Sequence, residues 1–233
     1  MDFFIDFAFF RVRITSDDPL VFKRCERYIA PVSGFDFAAC SRPEFEKEVR
    51  AREPDFKSDY VEFLCIYRDI AEKIVDYGAF VMHGAAIEYG GKGYIFTGPS
   101  GIGKTTRARL FAGAGAEIVN GDKPVLRILG DRVYVCGTPW AGRENLGKPL
   151  CVPLCGIFIV SRADGEEPKC EPLTPYDAFG ALVNQVYLSS SASGKSKTVA
   201  LLGKVLDKVG VFALSGAPDE RLLAAAKAAM GEI

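Results

Sequence analysis

Hydrophobic and polar positions change period several times along the chain, and each change marks an element. Phe3 to Thr15 begins as an apolar run and then alternates. Phe10, Val12 and Ile14 fall on one side and Arg11, Arg13 and Thr15 on the other, which predicts a strand. Residues 16–57 are mixed. Short strands are expected at Arg27 to Val32 and Phe35 to Cys40, and the charged stretch Glu44 to Arg52 reads as a solvated face. From Asp59 to Tyr77 the period is helical, with Leu64, Tyr67, Ile70, Ala71, Ile74 and Val75 on one side and Gly78 as the stop.

A hairpin follows: Ala79 to Tyr89, the turn Gly90-Gly91, and a short buried strand Gly93 to Thr97. Thr105 to Ala112 reads as a helix and Ala116 to Asp122 as a strand ending in an acid. A second hairpin, Pro124 to Leu129 and Asp131 to Cys136, turns at Gly130. Val152 to Val160 is a buried strand and Pro175 to Leu188 an amphipathic helix. Ser189 to Lys197 reads as a mobile linker or lid. It contains Gly194-Lys195-Ser196, but Ser189 stands where a second phosphate loop would need its upstream glycine. Thr198 to Val209 is a helix, Val211 to Leu214 a strand and Asp219 to Met230 a closing helix. Strands alternating with helices give an α/β class, a mixed sheet flanked by helices. Residues 1–78 form an N-terminal α+β extension packed on a core of residues 79–233.

Bulk composition narrows the partners. The 233 residues are 48% hydrophobic and 25% charged, with a net charge of −1, so there is no global pull toward nucleic acid or an anionic membrane. Met1 to Phe10 carries Asp2 and Asp6 and lacks a basic region, a poor signal peptide, and no apolar run reaches membrane-spanning length. A cytoplasmic location is expected, with no membrane or nucleic-acid partner; homo-oligomerisation stays open. The seven cysteines lack C-x-x-C spacing, and several sit in apolar stretches (Cys65, Cys136, Cys155), which reads as buried reduced thiols.

The chemistry concentrates at Gly98-Pro99-Ser100-Gly101-Ile102-Gly103-Lys104-Thr105-Thr106, which fits G-x-x-x-x-G-K-[ST] between a strand and a helix. Glycines let backbone N–H groups turn toward a nucleoside triphosphate. Lys104 reaches the β- and γ-phosphates and the Thr105 hydroxyl holds Mg²⁺. Gly98, Ser100, Gly101, Ile102, Gly103, Lys104, Thr105 and Thr106 are therefore the expected nucleotide contacts. Asp122, on the next strand and 18 residues beyond Lys104, is placed to coordinate Mg²⁺ or to take a proton from an attacking hydroxyl; an Asx-turn at the strand end is the plain alternative, and the spacing from Lys104 strengthens the functional reading. His83, the only histidine, lies on the hairpin arm before the loop, where a packed imidazole is the plain alternative. Gly137 to Asn145 is a polar, glycine-punctuated loop with the only Trp. Trp140, Arg143 and Glu144 suit substrate binding, and Trp140 suits a core edge just as well.

His83-Gly84, the loop, and Asn120-Gly121-Asp122-Lys123-Pro124 together resemble the catalytic core of the HPr kinase/phosphorylase superfamily, related to ATP-dependent phosphoenolpyruvate carboxykinase. Gly137-Thr138-Pro139-Trp140 with Val152-Pro153-Leu154-Cys155-Gly156 is similar to a branch of smaller HPr-kinase-like proteins. The resemblance implies ATP and Mg²⁺, a histidine near the phosphates (His83) and a strand-end general base (Asp122). It departs at Gly121-Asp122, where HPr kinases carry two adjacent acids, and no counterpart of their downstream glycine-rich phosphorolysis signature is present. The expected function is an ATP-dependent kinase acting on a hydroxyl of a protein, a peptide or a small molecule. The alternative is an ATP-binding regulatory protein whose missing acid marks lost catalysis. A carboxykinase-like enzyme would need further basic and metal-binding residues that no motif supplies.

Overall fold

The first apolar run folds into two strands where its pattern predicts one. A computed structural model describes residues 1–162 and 167–231, and in it β1 (Asp2–Phe7) and β2 (Phe10–Thr15) form an antiparallel hairpin closed by Phe7 opposite Phe10. The turn residues Ala8 and Phe9 have φ of 49° and 59°, a left-handed pair that tight hairpins usually fill with Asn or Gly. Tertiary contacts hold it: Ala8 is buried, its carbonyl accepts from Arg127 Nη1 at 2.6 Å, and the Phe9 ring meets Tyr134 edge-on. No local residue signals such a turn.

Helix α1 (Pro19–Arg24), capped by the Asp18 carboxylate, leads to β3 (Ile29–Ala30) and β4 (Phe37–Cys40), giving a sheet ordered β3-β1-β2-β4. The charged stretch is helix α2 (Pro43–Arg52). Its charges face water, but Phe45 and Val49, four residues apart, pack on Val61 and Cys65 of α3 (Ser58–Ile74). Two large apolar residues among six charged ones are too few for their period to show.

The larger sheet contains β5 (Ala79–Val81), β6 (Gly84–Tyr89), β7 (Lys92–Thr97), β8 (Glu117–Asn120), β9 (Val125–Leu129), β10 (Arg132–Cys136), β11 (Cys151–Ser161), β12 (Lys169–Pro172) and β13 (Gly210–Ser215). Its helices are α4 (Lys104–Gly113), α5 (Pro175–Leu182), α6 (Ala192–Leu206) and α7 (Glu220–Gly231). Strand order is β5-β9-β10-β11-β7-β6-β8, with β13 parallel to β11 and β12 antiparallel to β13. β7 runs parallel to β11 and antiparallel to β6, so the sheet is mixed as expected.

Alternation along the central strands builds a core on each face. Phe96, Phe158 and Phe212 stack at 5.4 and 5.6 Å and meet Phe111 of α4 and Leu222 and Ala226 of α7. Their neighbours Ile95 and Ile157 point the other way, to Leu182 of α5 and Leu202 and Val205 of α6. A further core joins β1, β2 and α3 to Ala79, Val81, Val125 and Trp140.

Ser189 to Lys197 departs from the expected linker. Helix α6 begins at Ala192 with Ser191 as its N-cap, the Oγ accepting from Gly194 N at 3.0 Å. The Glu72 carboxylate accepts from the Ser189 hydroxyl, from Ser190 N at 2.7 Å and from Tyr187 Oη at 3.2 Å. Serine-rich sequence there satisfies a helix start, not a mobile lid. Replacing Ser191 with alanine is expected to cost about 1 kcal/mol, read as a lower urea midpoint at unchanged slope.

Candidate functional site

Parallel β7 and β8 flank β6, so their carboxyl ends, Thr97 and Asn120, lie at the same end of the sheet. The chain between Thr97 and α4 is a tight loop whose last residue, Gly103, has a φ of 95°. A side chain at Gly103 would be strained by that φ, and its Cβ, 2.8 Å from Arg107 Nη1, would also have to displace the guanidinium. Lys104 opens α4 and folds back, its Nζ donating to the carbonyls of Gly98 and Pro99, both at 3.0 Å. Lys104 is only 8% exposed and no carboxylate ion-pairs with it among the described residues. Burial holds its pKa below the usual lysine value, with the Asp122 charge pulling the other way. A buried cation whose hydrogen bonds go only to neutral carbonyls fits an anionic ligand at the start of α4.

Arg107, one turn into α4, is a positioning residue that no motif marks. Its guanidinium donates to the carbonyls of Ile102 (3.2 Å), Gly103 (3.3 Å) and Gly216 (2.8 Å), tying the loop to the end of β13.

Asp122 is set by a second unmarked residue. Asn120 is fully buried; its Oδ1 accepts from Asp122 N (2.9 Å) and Lys123 N (2.8 Å), and its Nδ2 donates to the carbonyl and Oγ1 of Thr138. The asparagine makes the turn, leaving the Asp122 carboxylate outside it. Asn-Gly-Asp after a strand is the signal that could have assigned this role. The Asp122 Oδ1 lies 3.4 Å from His83 Nε2, and its Oδ2 is ion-paired with Lys123. His83 sits where one expected strand is two, between β5 and β6: its N–H donates to Gln185 O at 2.6 Å and its carbonyl accepts from Thr97 Oγ1 at 2.7 Å. Burial, then the Lys104 charge, push the imidazole below its ordinary value, with Asp122 opposing. The neutral ring is thereby favoured near pH 7.

The loop after β10 covers Asp122. Gly142 has a φ of 79°, and a Cβ there would stand 3.1 Å from Asp122 Cβ. Three residues of this loop were singled out by sequence, and they take different places. Trp140 is buried, stacked on Phe63 at 5.3 Å with its Nε1 donating to Phe63 O at 2.9 Å. Glu144 is exposed and ion-paired with Arg109 of α4. Arg143 is exposed and has no hydrogen-bond or ion-pair partner among the described residues.

A cleft of about 410 Å³ brings together His83, Ser100, Lys104, Thr105, Asp122 and Arg143. The Thr105 hydroxyl donates to Gly121 O at 3.4 Å, and Thr105 and Asp122 line the same cleft. Among the described residues no group of three or more His, Cys, Asp or Glu could hold a metal alone. Mg²⁺ on a nucleotide takes one or two protein ligands beside phosphate and water, and Thr105 with Asp122 fits that need. No helix among the described residues is long and apolar enough to cross a membrane.

No protein-family model matches the chain, and no curated protein matches it. Among solved structures it is similar to the Hpr(Ser) kinase/phosphatase from Coxiella burnetii, at 10% identity and a TM-score of 0.38, over 65% of this chain and 93% of that chain. A likeness that low decides neither fold nor chemistry, which rest on the residues above.

Proposed function

We propose that the protein is an ATP-dependent kinase that passes the γ-phosphoryl group to a hydroxyl, with residues 1–78 as an addition to a nucleotide-binding core of residues 79–233. One observation carries the reading: the buried Lys104 cation, the start of α4, His83 and the Asp122 carboxylate line one cleft. Backbone N–H groups of Gly101 to Thr106, with Lys104, bind the phosphates, and Thr105 and Asp122 would hold Mg²⁺. Mg²⁺, when bound, neutralises charge on the transferring phosphoryl group. The acceptor oxygen forms a new bond to the γ-phosphorus as the bridging bond to the β-phosphate breaks and ADP leaves, and the hydroxyl proton passes to Asp122. His83, kept neutral by burial, orients the Asp122 carboxylate.

A nucleotide-binding regulator is the second reading, favoured by the ion pair of Asp122 with Lys123 and by Gly121 standing where a second acid would add charge. Incubation with γ-labelled ATP and Mg²⁺ separates the two: label in an acceptor supports the kinase, whereas tight binding with neither transfer nor hydrolysis supports the regulator. Lys104→Ala is expected to weaken ATP about 10- to 100-fold in calorimetric titration, since a charged hydrogen bond contributes about 1.5–3 kcal/mol. Unchanged affinity would remove the nucleotide site from this loop.

A further inference from the structure

A second cavity, of about 310 Å³, opens on the other side of Asp122. It shares Asp122, Ala141, Gly142 and Arg143 with the phosphate-side cleft, so the carboxylate stands at the junction of the two. One wall comes from outside the loop after β10, with Phe56, Tyr60 and Phe63 near and on α3 and Arg24 at the end of α1; the loop itself adds Trp140 as a buried aromatic surface. The volume is that of a small-ligand site, apolar in body with a few charged groups.

The charges are unbalanced. Arg24, Lys123 and Arg143 line the cavity against the single carboxylate of Asp122. Lys123 is spent on Asp122. Arg24 gives Nε and Nη2 to Asp59 Oδ2, at 3.2 and 2.7 Å, and lies over the rings of Tyr60 (5.0 Å) and Phe63 (5.6 Å). Its Nη1 makes no hydrogen bond, and Arg143 has no hydrogen-bond or ion-pair partner, among the described residues. Tyr60 Oη likewise makes no hydrogen bond there; burial first, then the Asp122 charge, raise its pKa, so the phenol stays a proton donor. Two cationic groups and one O–H donor thus face an aromatic space whose far wall is the proposed base.

We infer that this cavity is the acceptor site and that the acceptor is a small hydroxylated organic anion, a hydroxy acid with an apolar body. Its hydroxyl reaches Asp122, and its carboxylate is held by Arg143 with Tyr60 and Arg24. The inference rests on the kinase reading and adds the substrate class. The transfer balances as above: the hydroxyl oxygen takes the phosphoryl group, ADP leaves and the proton goes to Asp122.

The test first measures ATP binding by calorimetry, then ADP release from ATP–Mg²⁺ with mandelate, 3-hydroxybutyrate and 4-hydroxyphenyllactate, each beside its neutral amide, and with a seryl peptide. At least one acid is expected to be phosphorylated with a KM about tenfold or more below that of its amide. Arg143→Gln should raise the KM of the acid about tenfold more than that of its amide, and Tyr60→Phe, which preserves the ring packing, should shift that ratio less. Acid and amide used equally well would overturn the anion site. Phosphorylation of the peptide alone would overturn the small-molecule acceptor and leave the kinase standing. Failure to bind ATP would overturn both.

Discussion

Asp122→Asn is expected to keep ATP affinity within a few fold while turnover falls by about 10²–10⁴, the range general-base catalysis contributes. The backbone reason for intact binding is local. The Asp122 N–H is held by Asn120 Oδ1 at 2.9 Å, so the turn does not depend on the side chain that changes. An asparagine offers an oxygen of the same shape, but it cannot take the proton that leaves the acceptor. Its amide also removes the one charge that raises the His83 pKa, against burial, Lys104 and Lys123, which lower it. His83 is the only histidine, so its NMR titration is read without assignment. Its midpoint should lie below the ordinary value of about 6.5 in the native protein and lower still in the variant. Full turnover in the variant would remove Asp122 as the base; an unmoved histidine midpoint would separate the two side chains electrostatically.

The legible part of the site was the part fixed by backbone chemistry. A glycine-rich loop between a strand and a helix leaves a local signature, and the structure places Lys104 and Thr105 at the start of α4 just after it. The strand ending near Asp122 was legible for the same reason, through apolar residues followed by Asn-Gly-Asp. What sequence did not disclose are side chains that act across the fold. Arg107 holds the loop from within α4 by reaching Gly216, 109 residues away, and Asn120 reaches Thr138 across 18. The Ala8-Phe9 turn escaped because Arg127 and Tyr134 stabilise it from a different sheet. The start of α6 was missed through the opposite error: a serine-rich run looks disordered until Glu72, far back on α3, collects its donors. Local periodicity therefore gave the frame, and contacts of long sequence separation gave the positioning.

Trp140→Ala is expected to cost about 3–5 kcal/mol, a large share of the 5–15 kcal/mol that stabilises a typical protein. Its sequence setting, a polar loop with Arg143 and Glu144, is equally that of a ligand-facing residue. The indole is only 3% exposed, stacks on Phe63, meets Phe7 edge-on at 6.2 Å and packs on Tyr67 at 5.7 Å. Those three rings belong to β1 and α3, so one side chain of the loop anchors the residues beside Asp122 to the N-terminal sheet and its helix. Trp140→Phe keeps much of the ring contact but leaves Phe63 O without the indole donor, and should cost about 1–3 kcal/mol. Urea unfolding followed by circular dichroism orders the two variants. If alanine costs less than about 1 kcal/mol, the aromatic cluster does not anchor the loop. If it costs the expected amount, the surviving folded fraction should bind ATP normally yet show a raised KM for the acceptor. On the proposed reading the phosphates are held by the loop before α4, whereas Ala141, Gly142 and Arg143, next to Trp140 in the chain, border the cavity proposed for the acceptor. Core packing and acceptor recognition would then be coupled through a single indole.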